Sequence, residues 1–172
     1  MKLIKNNDNI KFILYVLILI APLSFIFSYG KYRCTHKSYK DPLENEILYK
    51  LDGWSATHFI WYLIVGYFFP KTFVTTTIVG IGWELFEQYY GKERPGWLGS
   101  YGDCTNLATN NVSGNWWYGK WTDIICNTTG FLIGQYMKLG KITFKNQEYL
   151  RHLVWFLFLI IFSKYIYNVV HN

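Results

Sequence analysis

Charge is what this sequence has least of. Only 16% of its 172 residues are Asp, Glu, Lys or Arg, while 51% are hydrophobic and 21% aromatic. A soluble domain with a similar apolar share carries about a quarter charged residues, so the shortfall argues against a solvated surface around one core. Cysteine is scarce as well. Cys34, Cys104 and Cys126 show no CxxC spacing, and the four histidines (His36, His58, His152 and His171) do not cluster. That spacing argues against His/Cys zinc ligation. A basic stripe is also missing: the net charge of +6, with 14 of 17 basic residues being lysine, is spread over the flanks of apolar runs. This distribution suits anionic lipid headgroups and not nucleic acid.

What the chain does have is a series of uncharged apolar stretches. A helix needs about 20 such residues to cross a hydrocarbon core of ~30 Å. The runs predict an all-α fold, a polytopic membrane helical bundle of about five transmembrane helices forming a single membrane domain over 1–172. The expected spans are 12–29, 54–70, 72–90, 121–137 and 153–170. The first has Pro22 as a kink point. Its lysine-rich start also fits a signal peptide, but the apolar run passes Pro22 to Phe27 with no small-x-small cleavage site, which favours a retained helix. Residues 91–119 form a long loop rich in Gly, Asn and Trp, and Pro70-Lys71 a tight reversal.

Five polar side chains interrupt these spans: His58, Glu84, Glu87, Asp123 and Asn127. A charged group near the bilayer centre costs roughly 2.5–3.5 kcal/mol, so such residues pair with one another or mark a site. His58 begins the second span, the glutamates end the third, and Asp123 and Asn127 begin the fourth. Consecutive spans run in opposite directions, which brings all five toward one membrane face. Glu84 and Glu87 are three residues apart, Asp123 and Asn127 four, so each pair shares a helix face. Neighbouring carboxylates in low dielectric do not all stay ionised unless a base or metal neutralises one. His58 is the candidate base, and an oxygen-rich set suits a divalent cation such as Mg²⁺ or Mn²⁺. The identity of any metal or cofactor is left open by the residues alone. Span-end residues tied to loop backbone are the structural alternative.

Basic residues divide evenly between the two sides, so the positive-inside rule gives no orientation. Cys34 and Cys104 fall in two loops expected on one side, where they are candidates for a disulfide. That loop side also carries the sequon Asn111-Val112-Ser113, a candidate glycosylation site. Together these favour the N-terminus inside. Trp54, Trp97, Trp116, Trp117 and Trp121 flank the same side as an interfacial belt. On the fourth span Gly130 and Gly134 make a GxxxG pattern for close helix packing. The expected partner surface is Gly80 and Gly82 of the third span, with a homodimer as the alternative use.

The string Gly82-Trp83-Glu84-Leu85-Phe86-Glu87-Gln88, followed by Asp123-Ile124-Ile125-Cys126-Asn127-Thr128-Thr129-Gly130 and Gly134, resembles VanZ-like and YjdF-like small polytopic membrane proteins. His58-Phe59 fits the YjdF-like variety better. The resemblance implies a compact bundle of four to six helices with Glu84, Glu87, Asp123 and Asn127 facing inward and Gly130 and Gly134 at a helix contact. Some VanZ-like members are associated with lowered susceptibility to glycopeptide antibiotics.

The residues point to a multi-pass integral membrane protein with a one-sided polar site acting on a lipid or lipid-linked headgroup, with membrane lipids as partners. Glu84, Glu87 and Asp123 would hold a cation or share a proton, His58 would act as base, Asn127 would orient the substrate, and Asp103 would sit in a covering loop. A proton or cation pathway and a structural envelope component are the alternatives.

Overall fold

Four helices account for most of the described residues. The computed structural model describes residues 2–35, 42–93 and 119–144. Helix α1 spans Lys2–Thr35 and continues through Pro22. A short 3-10 turn at Pro42–Glu44 leads to a two-stranded antiparallel hairpin, β1 (Glu46–Leu48) with β2 (Leu51–Asp52). Helices α2 (Gly53–Phe68), α3 (Phe73–Glu93) and α4 (Trp121–Leu139) complete the described chain. The all-α class follows from the sequence, and three of the helices fall within a few residues of the expected spans.

Two boundaries need correction. Lys31–Thr35, expected as loop, belongs to α1, and Gly91–Glu93 belongs to α3. Charged residues mark where an apolar run stops, but Lys, Arg and Glu are good helix formers, so the helices continue past them. Cys34 is therefore on a helix, not in a loop. Its expected partner Cys104, the sequon at Asn111, Asp103 and the fifth span 153–170 lie outside the described residues, so the disulfide and glycosylation expectations do too.

Among the described residues, one helix passes a length-and-hydropathy test for crossing a membrane: Asp8–Ile26 within α1, with mean hydropathy 2.1. The 16 residues of α2 would reach about 24 Å at 1.5 Å per residue, while the 21 of α3 and 19 of α4 would reach about 31 Å and 28 Å.

Helix starts and turns explain the local chain path. Asp52 caps α2, its carboxylate accepting the Ser55 backbone N–H at 2.9 Å, which satisfies one of the orphan donors of a helix N-terminus. At the other end of α2 the chain reverses through Phe69–Thr72, closed by Thr72 N–H to the Phe69 carbonyl at 3.1 Å. Gln135 of α4 braces this reversal. Its amide NH₂ donates to the Pro70 carbonyl and, at 2.9 Å, to the Thr143 carbonyl, while its Oε1 accepts the Thr143 N–H at 2.8 Å. Helix α4 then ends on Gly140 in the left-handed region at φ 65°, a conformation that favours glycine.

The closest helix pair is α2 with α4. A Cβ placed on Gly130 or Gly134 would strike the carbonyls of Phe59 or Leu63, and one on Gly66 would strike the Phe131 carbonyl. Glycine at all three lets the backbones touch. The GxxxG face thus packs on α2, not on the Gly80–Gly82 surface of α3. Gly80 instead faces Tyr62 and Asn127, and Gly82 is open. Within the chain α2 occupies the GxxxG face.

Helix directions follow from contacts at their ends. The Tyr15 hydroxyl of α1 bonds Thr76 at 2.8 Å and its ring meets Phe69 edge-on at 5.3 Å, while Tyr29, further along α1, meets Trp54 at 5.5 Å. Tyr15, Phe69, Thr76 and Gln135 mark one end of the bundle. Tyr29, Trp54 and Lys120 mark the other. All four helices therefore alternate in direction.

Among the described residues, polar side chains outnumber hydrophobic ones in the interior. Among the described residues, the buried hydrophobic side chains are Tyr15, Tyr62, Val65 and Phe131. The buried polar ones are Asp52, Ser55, Thr72, Thr75, Thr76, Glu84, Thr122, Asp123, Asn127 and Gln135. Ile13 and Leu17 of α1, Ile60 and Phe68 of α2, Ile78 and Leu85 of α3, and Ile125 and Met137 of α4 are all exposed.

Candidate functional site

The site lies at the Trp54–Lys120 end, where α2 and α4 begin and α3 approaches its end. Three of the expected residues converge there. His58 of α2, Glu84 of α3 and Asp123 of α4 each offer a ligand atom, and these atoms lie within 4.8 Å of one another. Glu84 is 3% exposed and Asp123 4%, while His58 is half-buried. His58 Nδ1 stands 3.6 Å from Glu84 Oε1.

Each of the three is held in place by one neighbour. Asn127, one helical turn beyond Asp123, sets its Oδ1 3.0 Å from His58 Nδ1. A carbonyl oxygen only accepts, so in this contact His58 Nδ1 is the donor. The Lys120 backbone N–H donates to Glu84 Oε2 at 3.0 Å. The Ser55 hydroxyl donates to Asp123 Oδ1 at 2.5 Å. Two buried atoms here have no hydrogen-bond partner: Glu84 Oε1 and Asn127 Nδ2. A buried unpaired polar atom costs about 1–3 kcal/mol, so their occurrence beside the cluster is informative.

Glu87 departs from the expected set. It lines the adjoining cavity and takes a hydrogen bond from the Trp83 side chain one turn earlier, but it is not one of the three converging ligands. Glu84 and Glu87 share a broad helix face, yet 300° of rotation over three residues leaves them about 60° apart, enough to aim only one at the α2–α4 contact. Asn127 Oδ1 meets the histidine ring, while its Nδ2 has no hydrogen-bond partner.

Three participants were missed in the sequence reading: Asp52, Ser55 and Lys120. The Lys120 ammonium pairs with Asp52 Oδ2, and the Ser55 hydroxyl lies within reach of both Asp52 (3.2 Å) and Asp123, its one proton serving one carboxylate at a time. Asp52 was recognisable as a helix cap, since it directly precedes the apolar run of α2. Nothing in the local sequence pairs Ser55 with Asp123, 68 residues away.

A cavity of about 40 Å³ adjoins the cluster, lined by Ile26, Glu44, Trp54, His58, Glu87, Lys120 and Asp123. That is room for an ion or a water molecule, since one water needs about 10–15 Å³ of such space. A second cavity of about 10 Å³ lies deeper, lined by Tyr62, Thr77, Gly80, Ile81, Ile124, Asn127, Thr128 and Phe131. Trp54 is half-buried and Trp121 exposed at this end of the bundle; Trp97, Trp116 and Trp117 are outside the described residues. Cys126 is a free, half-buried thiol on α4.

Asp52 gives the site a pH dependence. Burial pushes its carboxyl up, but the Lys120 ammonium and the Ser55 N–H and hydroxyl outweigh this and hold it below the usual aspartate range. A folded pKa below the unfolded one stabilises the fold above the ordinary aspartate value of about 3.9, and that contribution is lost as pH falls through the folded value. Thermal unfolding of wild type in detergent should therefore decline on acidification below about pH 4. Asp52→Asn keeps a capping side chain but not the ion pair, so its curve should be flatter there. Superimposable pH profiles would show that the pair adds nothing.

Compared with family models, curated proteins and solved structures, the chain gives no match.

Proposed function

We propose that the chain is a multi-pass integral membrane protein whose acidic pocket opens toward one membrane face and acts on a lipid or lipid-linked headgroup. The observation that carries this reading is the inverted polarity of the fold, with polar side chains gathered inside and Ile, Leu and Phe exposed on the helices. Soluble proteins rarely expose large contiguous apolar patches. Hydrocarbon accommodates them, and it also demands that buried polar groups find one another. The VanZ-like and YjdF-like resemblance belongs to the same proposal.

Chemistry follows from the histidine. With Asn127 holding Nδ1, Nε2 is free to take a proton from water or from a headgroup hydroxyl, the part a general base plays in hydrolysis or transfer. The cavity beside His58 is where the reacting end of a headgroup would enter. Trp54 and Trp121 are placed for the interface.

A proton or cation pathway is the second reading. It draws on the deeper cavity, where Tyr62, Thr77, Asn127 and Thr128 meet below the cluster.

The test is headgroup release. Detergent-purified protein is incubated with phospholipids of differing headgroup and with a lipid-linked pyrophosphate, and released headgroup is counted by mass spectrometry. Release from one class, reduced about 10²- to 10⁴-fold in His58→Gln, is the expected outcome. No release from any member would retire the enzyme reading. Proton flux in proteoliposomes that Glu84→Gln abolishes would then support the pathway.

A further inference from the structure

The pocket is acidic: Glu44, Glu87 and Asp123 line its cavity and Glu84 stands beside it, against Lys120 and the imidazole of His58. An anionic headgroup entering such a pocket would meet repulsion unless a cation came first. We propose that His58, Glu84 and Asp123 bind one divalent transition-metal cation. The proposal rests on the pocket being functional, but not on its acting on lipid, and it commits the imidazole lone pair of His58 to the cation in place of the general-base part.

Three features point to a metal. The first is convergence: three ligand atoms from three different helices lie within 4.8 Å of one another. Ligands about 2.1 Å from a common ion stand roughly 3–4 Å apart, so small side-chain rotations close the set. The second is Glu84 Oε1, an oxygen without a hydrogen-bond partner on a side chain 96% buried. Its other oxygen is tied to the Lys120 N–H, which leaves Oε1 available on the side of His58. The third is the pattern of support. Metal-bound histidines commonly donate their other ring N–H to an oxygen, and metal-bound carboxylates are themselves hydrogen-bonded. Asn127, Ser55 and Lys120 supply these three contacts, one to each ligand.

The donor set selects among metals. One imidazole with two carboxylates is a poorer match for Mg²⁺ or Ca²⁺, which prefer all-oxygen shells, than for Mn²⁺, Fe²⁺ or Zn²⁺. Three protein ligands leave coordination positions open, as in catalytic sites and unlike closed structural ones. The ion would also remove the conflict of neighbouring carboxylates in low dielectric.

Mn²⁺ is the probe, because its free form has a sharp spin-resonance signal that disappears on binding. The full chain is purified in detergent, stripped with a chelator and titrated. Expected are one Mn²⁺ per chain, competition by Zn²⁺, and nitrogen coupling from one imidazole in the spin-echo spectrum. His58→Gln should lose the coupling. Glu84→Gln and Asp123→Asn should weaken binding at least tenfold, while Asp8→Asn on exposed α1 binds as wild type. Unfolding curves without metal identify any variant that fails to fold. The nitrogen coupling of wild type is independent of every variant. No stoichiometric Mn²⁺ in folded wild type, or equal binding by folded Glu84→Gln and Asp123→Asn, would overturn the site. Bound Mn²⁺ with no headgroup release keeps the cation site and retires the lipid reading, and release unaffected by chelation does the reverse.

Discussion

Gly134→Ala should be among the most destabilising single-atom additions available in this chain. Its Cβ would be driven into the Leu63 carbonyl and to 2.8 Å from the Tyr67 backbone nitrogen. Those atoms belong to the backbone of α2 and cannot turn aside as a side chain would, so the helix must move. Overpacking of this kind costs about 1–3 kcal/mol and occasionally more. Alanine returns roughly 1 kcal/mol of helix propensity relative to glycine, which is too little to compensate. Gly82→Ala provides the matched control, since nothing lies within 4 Å of the added atom. It should be neutral or stabilising by up to about 1 kcal/mol. Unfolding in mixed micelles, followed by circular dichroism, compares the two. A Gly134→Ala variant as stable as Gly82→Ala would mean that α2 and α4 are not in backbone contact.

The same substitution reaches the site. Ser55 with Asp123, and His58 with Asn127, are contacts between α2 and α4. Any separation of those helices opens both. Gly134→Ala should therefore weaken Mn²⁺ binding although it lies at the far end of α4 from the cluster, and the loss should scale with the loss of stability across Gly66, Gly130 and Gly134 variants.

Much of this arrangement is legible in the sequence, for identifiable reasons. Helices α2, α3 and α4 are bounded by changes in composition: Asp52 before α2, Pro70-Lys71 between α2 and α3, and Lys120 before α4. The shared depth of His58, Glu84 and Asp123 follows from alternating direction alone. What the sequence does not specify is azimuth and partner. The spacing of Gly130 and Gly134 declares a flat surface, but the choice of α2 over α3 depends on how Gly66 and Phe131 interlock. The replacement of Glu87 by His58 among the converging ligands depends on a rotation of about 60° about the α3 axis. The contacts of Ser55 and Lys120 join positions far apart in sequence, so no local pattern encodes them. The ends of α1 and α3 were set by charge in the sequence and by helix propensity in the fold, which is why both helices run longer than expected.

One-sidedness is the claim on which the functional reading depends, and cysteine accessibility tests it most directly. Glu46 on the hairpin lies at the site end, while Lys71 in the α2–α3 reversal and Lys141 beyond α4 lie at the other, and all three are exposed. With Cys34, Cys104 and Cys126 changed to serine, single variants Glu46→Cys, Lys71→Cys and Lys141→Cys are expressed in membranes. They are then treated with an impermeant maleimide on right-side-out and inverted vesicles. Labelling at position 46 from one face, and at 71 and 141 only from the opposite face, is the predicted result. Reaction of all three from the same face would contradict the multi-pass bundle, and with it the site built at one end.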